Sequence, residues 1–329
     1  MNASTVQRCA GLGAAATLSL YLGVKVVWVA VGLFGGGPDE ARSSPGEWVL
    51  LNAVTVVMAV VGVALGLALA LPFGRRLPAP AVLFFAWTAC GFLGSLVPYG
   101  VVLAALGAAG ADLDGGADGG RDERGGDGGG GGDSGDGLPG WESALITIGF
   151  AGMAVGIAVA LPLYLRSRWP HAFRGPAGRP TSAVGLPRLL ALSAAALAPA
   201  ALWLYWSAGG RAGLRPGSPA WELSIRLLFG NGALWAVLGI LGAWLLAGRL
   251  LPGTPRWTAV TLAFVGSGSL FAWNAWRLLW AVLRPGDYEP YQRMPLALAE
   301  HTLAVAAGAG LLALTLRATA RASRVTADA

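Results

Sequence analysis

WVLLNAVTVVMAVVGVALGLALALPF (residues 48–73) runs for 26 residues without a charged side chain. A helix needs about 20 apolar residues to cross the hydrocarbon core of a bilayer, so this stretch predicts a transmembrane helix. Seven further stretches are similar, at residues 10–34, 80–108, 142–165, 187–208, 222–247, 257–283 and 296–316. The sequence therefore predicts an all-α fold, a polytopic transmembrane helix bundle of about eight spans.

Composition supports the same fold class. The 329 residues are 55% hydrophobic and 12% charged, whereas a soluble domain has about 25% charged residues. The net charge of +6 does not indicate nucleic-acid binding, because the arginines lie in short connections between apolar stretches and not on one face. The expected partner is the lipid bilayer, and no nucleic acid is expected.

The arginines also predict the orientation. They concentrate near residues 74–80, 166–188 and 248–256 and in the C-terminal tail, all on one side of an eight-span arrangement. Because cytoplasmic connections are enriched in basic residues, we expect both termini in the cytoplasm. The predicted location is the plasma membrane.

These patterns divide the chain into four segments. Residues 1–108 hold spans one to three, and residues 109–140 form an acidic external connection rich in Gly and Asp. Residues 141–186 hold span four and a basic cytoplasmic connection, and residues 187–329 hold spans five to eight with a basic tail. The acidic segment lacks the spacing of a calcium-binding loop. Its composition predicts a disordered linker.

Two short motifs recur at one offset. GRRLP at 74–78 corresponds to GRLLP at 248–252, and Gly-Ser-Leu at 94–96 corresponds to Gly-Ser-Leu at 268–270. These matches predict a 4+4 parallel internal repeat, with two four-span copies related by an axis along the membrane normal. Small residues four apart in spans two and four, at Gly62, Gly66, Gly152 and Gly156, predict close helix packing.

Polar side chains within apolar spans are candidates for a functional site, because burying them in a membrane is costly. Nine of them would line a polar cavity facing outward, namely Lys25, Asn52, Glu142, Glu222, Arg226, Asn231, Asn274, Arg277 and Glu300. Structural alternatives stay open. The glutamates can interact with helix dipoles, Arg226 can pair with Glu222 one turn away, and Arg277 can anchor a tryptophan-rich interface.

Lys25 is the only lysine among 23 basic residues. It lies about nine residues from the outer end of span one, roughly 14 Å deep at the rise of a helix. We therefore expect its side chain to point into the bundle, towards a partner that is preferably a carboxylate. The motif Lys-x-x-Trp-x-x-x-Gly around it, formed by Lys25, Trp28 and Gly32, resembles a motif of uncharacterised actinobacterial multi-pass membrane proteins. That resemblance implies a membrane location and carries no established activity.

The sequence contains few of the residues and motifs that catalysis or metal binding requires. Two cysteines and two histidines are far apart in the sequence, so no metal site is predicted, and no cofactor-binding or catalytic motif is present. The favoured function is a transporter of a small solute or ion. The alternative is a non-catalytic membrane component or sensor that binds a partner membrane protein, and a membrane-embedded enzyme ranks last.

Overall fold

A computed structural model describes residues 2–34, 45–113, 140–177, 185–218, 222–284 and 288–325. Most of the predicted acidic linker, residues 114–139, lies outside these ranges. The described chain contains eight long α-helices, which are α1 (Ala3–Leu33), α2 (Pro45–Ala70), α3 (Ala79–Ala108), α4 (Gly140–Arg168), α5 (Leu186–Ser207), α6 (Leu223–Leu246), α7 (Arg256–Leu283) and α8 (Met294–Val325). The prediction of an all-helical bundle is confirmed.

The helices extend beyond the apolar stretches at some ends. α1 begins at Ala3 and not near residue 10, because Asn2 caps it: the Asn2 Oδ1 atom accepts a hydrogen bond from Thr5 N at 2.9 Å. α8 continues past residue 316 to Val325. Apolarity marks the part of a helix that crosses the bilayer, whereas caps and helix propensity decide where the helix ends.

Seven of the eight helices are long and apolar enough to cross a membrane. Their outer faces carry apolar side chains in mid-helix, such as Val57, Val101 and Val155, each more than 60% exposed. A bilayer accommodates such faces, whereas water does not. The chain therefore has the architecture of a multi-pass membrane protein.

The exception is α7, which is 28 residues long and carries serines, Asn274 and Arg277. Its small residues contact three other helices. A Cβ atom on Gly266 would meet Gly239 of α6, one on Gly268 would meet Trp87 of α3, and Gly308 of α8 lies against Ser267. A helix enclosed by protein in this way need not be apolar all round, which explains its weaker hydrophobic pattern.

The chain divides into two compact units. Unit 1 contains α1, α2, α4 and the start of α3, and unit 2 contains the rest of α3, α5, α6, most of α7, and α8. In unit 1, α1 packs against both α2 and α4. Gly66 lies against Ala15, and Gly156 lies against Ala14, so the small residues of spans two and four do serve helix packing, as predicted.

Corresponding helices have corresponding neighbours. α1 contacts α2 and α4 within unit 1, and α5 contacts α6 and α8 within unit 2. This pattern is the one expected of a 4+4 duplication. The duplication itself stays a prediction, which superposition of the two halves in an experimental structure would test.

Candidate functional site

The predicted cavity residues fall into two groups, one in each unit. Lys25 and Asn52 belong to unit 1. Most of the others belong to unit 2, where a cleft between helices brings three of them together. The side chain of Glu142 lies outside the described residues.

In unit 1, Lys25 is buried and bonded to α2. Its Nζ atom donates a hydrogen bond to Asn52 Oδ1 at 3.1 Å and lies 3.8 Å from the centre of the Trp28 ring. Residues three apart share a helix face, so the Lys-x-x-Trp spacing places the indole beside the ammonium group. The sequence favoured a carboxylate partner, and Asn52 Oδ1 is one acceptor of the ammonium group. Glu47 and Glu142, at the starts of spans two and four, are candidates for that carboxylate, and their side chains lie outside the described residues.

Replacing Lys25 by methionine is expected to lower thermal stability. The substitution takes one donor from the buried amide of Asn52, and an unsatisfied buried polar group costs about 1–3 kcal/mol. The double variant K25M/N52L removes both groups and should recover part of that loss. Thermal unfolding of the purified variants in detergent measures both effects. A K25M protein as stable as the wild type would contradict a structural role for the pair.

In unit 2, a small cleft of about 40 Å³ opens between helices. Its polar lining consists of Asn231 from α6 with Ser269, Asn274 and Arg277 from α7. Trp203 and Trp273 supply aromatic walls. Three of the predicted cavity residues, Asn231, Asn274 and Arg277, therefore do meet in one place.

Hydrogen bonds hold the amides of the cleft in position. Asn231 Nδ2 donates to the Ser95 carbonyl at 3.2 Å, and Asn274 Nδ2 donates to the Leu270 carbonyl at 2.8 Å. Trp273 Nε1 donates to Ser95 Oγ at 2.7 Å, which orients the aromatic wall. An amide group has two N–H donors, and each of these hydrogen bonds uses one of them.

Arg277 is the cation of this cleft. Among the described residues its guanidinium forms no hydrogen bond and no ion pair within 4.0 Å. The sequence left two positions open for this residue, a cavity lining and an interfacial anchor among tryptophans. The structure places it in the cleft lining beside Trp273, while Trp276 and Trp280 pack edge to face with each other at 4.7 Å.

A buried carboxyl group lies next to the cleft. Glu300 is 4% exposed, and its Oε1 atom accepts hydrogen bonds from Gln292 Nε2 at 2.8 Å and from Trp203 Nε1 at 3.5 Å. Its Oε2 atom is buried and has no hydrogen-bond partner in the described structure. The sequence predicted Glu300 at the rim of a cavity or near the helix dipole. It lies in the second turn of α8, enclosed by neighbouring side chains, and its place at the rim of a cavity stays a prediction.

His301 connects the carboxyl group to the cleft. Its Nδ1 atom lies 2.9 Å from Asn274 Oδ1 and 3.5 Å from Glu300 Oε1. Because the Asn274 Nδ2 atom already donates to Leu270, its oxygen is the acceptor, and His301 Nδ1 carries the proton. Arg277 acts electrostatically on both Glu300 and His301. Asn274, Trp203 and Arg277 thus belong to the cleft and to the surroundings of the carboxyl group.

The remaining candidates lie elsewhere in unit 2. Arg226 Nε donates to the Ser207 carbonyl at 3.0 Å. Glu222 precedes α6 as its N-cap residue without a capping side-chain bond. Neither residue lines the cleft.

Sequence reasoning missed three members of this site. Trp203, Gln292 and His301 bond to Glu300 or Asn274 from different elements. The signal for His301 was its position directly after Glu300. No signal identified Gln292, which lies outside the apolar spans and meets Glu300 only through the turn into α8.

Searches against protein-family models, curated proteins and solved structures match nothing to this chain. The function of the protein is therefore inferred from the geometry of the chain itself. The chain forms a polytopic helical membrane protein, and unit 2 contains a buried polar site.

Proposed function

We propose that this protein is a permease-like transporter of a small inorganic anion, bound in the cleft of unit 2. The observation that carries the proposal is Arg277, a cation in the cleft lining that has no ion pair among the described residues. A half-buried cation that forms no close ion pair is costly in a membrane, and an anionic ligand in the cleft supplies a close negative charge.

The chemistry of the lining favours an anion over a cation. Guanidinium carries five N–H donors and no acceptor, and the amides of Asn231 and Asn274 add further N–H groups. Ser269 contributes a hydroxyl group. A cation site needs converging carboxylate or carbonyl oxygens instead.

Size favours an inorganic ion over an organic solute. Organic ligands occupy pockets of roughly 300–1,000 Å³, whereas this cleft measures about 40 Å³. A single water needs about 10–15 Å³ of such volume. A halide ion or nitrate with a water molecule is therefore the class of cargo that fits.

The position of the cleft agrees with uptake from outside. Arg277 lies in the last two turns of α7, and Glu300 lies in the second turn of α8. In the predicted topology both positions belong to the outer half of the membrane. The resemblance of span one to actinobacterial membrane proteins adds the proposal that this membrane is a bacterial plasma membrane.

Transport can be tested in proteoliposomes. Purified protein is reconstituted, and efflux of chloride or nitrate is measured with an anion-selective electrode while valinomycin and potassium dissipate the membrane potential. We expect anion efflux above that of protein-free liposomes, and no comparable flux of sodium.

Two results would contradict the proposal. One is the absence of anion flux from protein that is monodisperse and thermally stable, and the other is selectivity for cations. Anion binding without flux would favour the alternative function, a membrane sensor that reports anion binding to a partner protein.

A further inference from the structure

We infer that Glu300 is the proton-binding residue of this site, and that a proton is bound together with the anion. The inference rests on the proposed function and names the ion that is coupled to it. The cargo would then be a proton and an anion, which together carry no net charge when the anion is monovalent.

The contacts of Glu300 are asymmetric. Oε1 accepts two N–H groups, from Gln292 and Trp203, while Oε2 is buried without a partner in the described structure. An ionised carboxylate has about four acceptor positions, and a buried one is stable only when they are filled. An empty buried oxygen therefore suits a group that takes up a proton on Oε2 and becomes neutral.

The charged and titratable groups around Glu300 decide when its carboxyl group takes up a proton. α7 directs Arg277 and Asn274 towards the region, α5 contributes Trp203, the turn before α8 contributes Gln292, and α8 itself contributes His301. Arg277 is the permanent positive charge in this group. Its charge attracts an ionised Glu300 carboxylate as long as no other anion is present, whereas burial of the carboxyl group opposes ionisation.

An anion in the cleft changes that balance. It lies beside Arg277 and neutralises the guanidinium, so the ionised form of Glu300 loses its counter-charge and the carboxylate binds a proton. The reverse holds by thermodynamic reciprocity: protonation of Glu300 removes a competing negative charge and strengthens anion binding. The sign of the pH dependence follows, with tighter anion binding at lower pH.

Coupling can be measured with a pH-sensitive dye inside proteoliposomes. With valinomycin and potassium present, an inward nitrate or chloride gradient should acidify the lumen of wild-type vesicles. Lowering the external pH from neutral to mildly acidic should also raise the apparent anion affinity, by about tenfold at a typical coupling between two sites.

Glu300→Gln is the decisive variant, because glutamine has nearly the same shape and stays neutral. We expect E300Q to transport the anion with no acidification of the lumen and with no pH dependence. Glu222→Gln serves as the matched control, because Glu222 does not line the cleft, and it should keep the coupling. Acidification by E300Q equal to that of the wild type would overturn the inference.

Wild-type protein gives an independent answer if E300Q does not fold. Anion flux without acidification at any pH would refute proton coupling and leave anion transport intact. Absence of anion flux altogether would refute the proposed function instead. The two failures are therefore distinguishable.

Discussion

Replacing Gly91 by leucine is expected to abolish folded protein. Gly91 of α3 faces the backbone of α7, where an added Cβ atom would lie 2.7 Å from Ser269 N and would overlap the Gly268 carbonyl group. The contact is backbone against backbone, so no side chain can move aside, and overpacking of this kind costs about 1–3 kcal/mol or more. Separating the helices would also break the bond from Trp87 Nε1 to Ser267 Oγ, which is 3.0 Å long.

Gly100 is the matched control in the same helix, because a Cβ atom there has nothing within 4 Å. Yield of monodisperse protein and the midpoint of thermal unfolding measure the effect. We expect G100A to resemble the wild type, G91A to be clearly less stable and G91L to give no folded protein. Equal unfolding temperatures for G91A and G100A would show that α3 and α7 do not approach this closely.

Replacing Arg277 by leucine is expected to eliminate anion transport at ordinary anion concentrations while the protein stays folded. A hydrogen bond to a charged group contributes about 1.5–3 kcal/mol, so its loss weakens anion binding about ten- to a hundredfold. Folding should survive, because among the described residues no ion pair of Arg277 is broken by the change. The concentration dependence of anion flux in proteoliposomes gives the apparent affinity.

Arg249 provides the control for this experiment. It is exposed in the connection between α6 and α7, so R249L removes one positive charge from the chain without touching the cleft. R277K should retain part of the affinity, because lysine keeps the charge and loses the planar set of donors. Normal anion affinity in R277L would show that the anion does not bind beside Arg277. A large fall in unfolding temperature would show that Arg277 has a structural role.

The sequence by itself determined the class of fold. Long stretches without charge, such as residues 48–73, can only be helices that face lipid, because every backbone polar group must be satisfied within the segment. It also determined the glycine faces of spans two and four, since small residues one turn apart align on one side of a helix. The ends of the helices depend on local caps, such as Asn2 at the start of α1. A search for long apolar stretches does not reveal such caps.

The tertiary structure alone decided which polar residues act together. Lys25 and Glu222 were candidates for the same cavity as Asn274, yet only Asn274 lies in the cleft with Asn231 and Arg277. Depth along a span can be read from residue spacing. The side of a helix that faces protein depends on the helices packed around it, and these come from distant parts of the chain.

For Glu300, too, the sequence determines one part of the environment and the tertiary structure determines the other. Its position near the start of span eight follows from the sequence, but its burial and its contacts with Trp203 and Gln292 do not. Those contacts join α5, α8 and the turn before α8, and a hydrogen bond requires atoms placed to within a few tenths of an ångström. Residue type fixes the groups available for such bonds, and only the packing of the helices brings them within reach of one another.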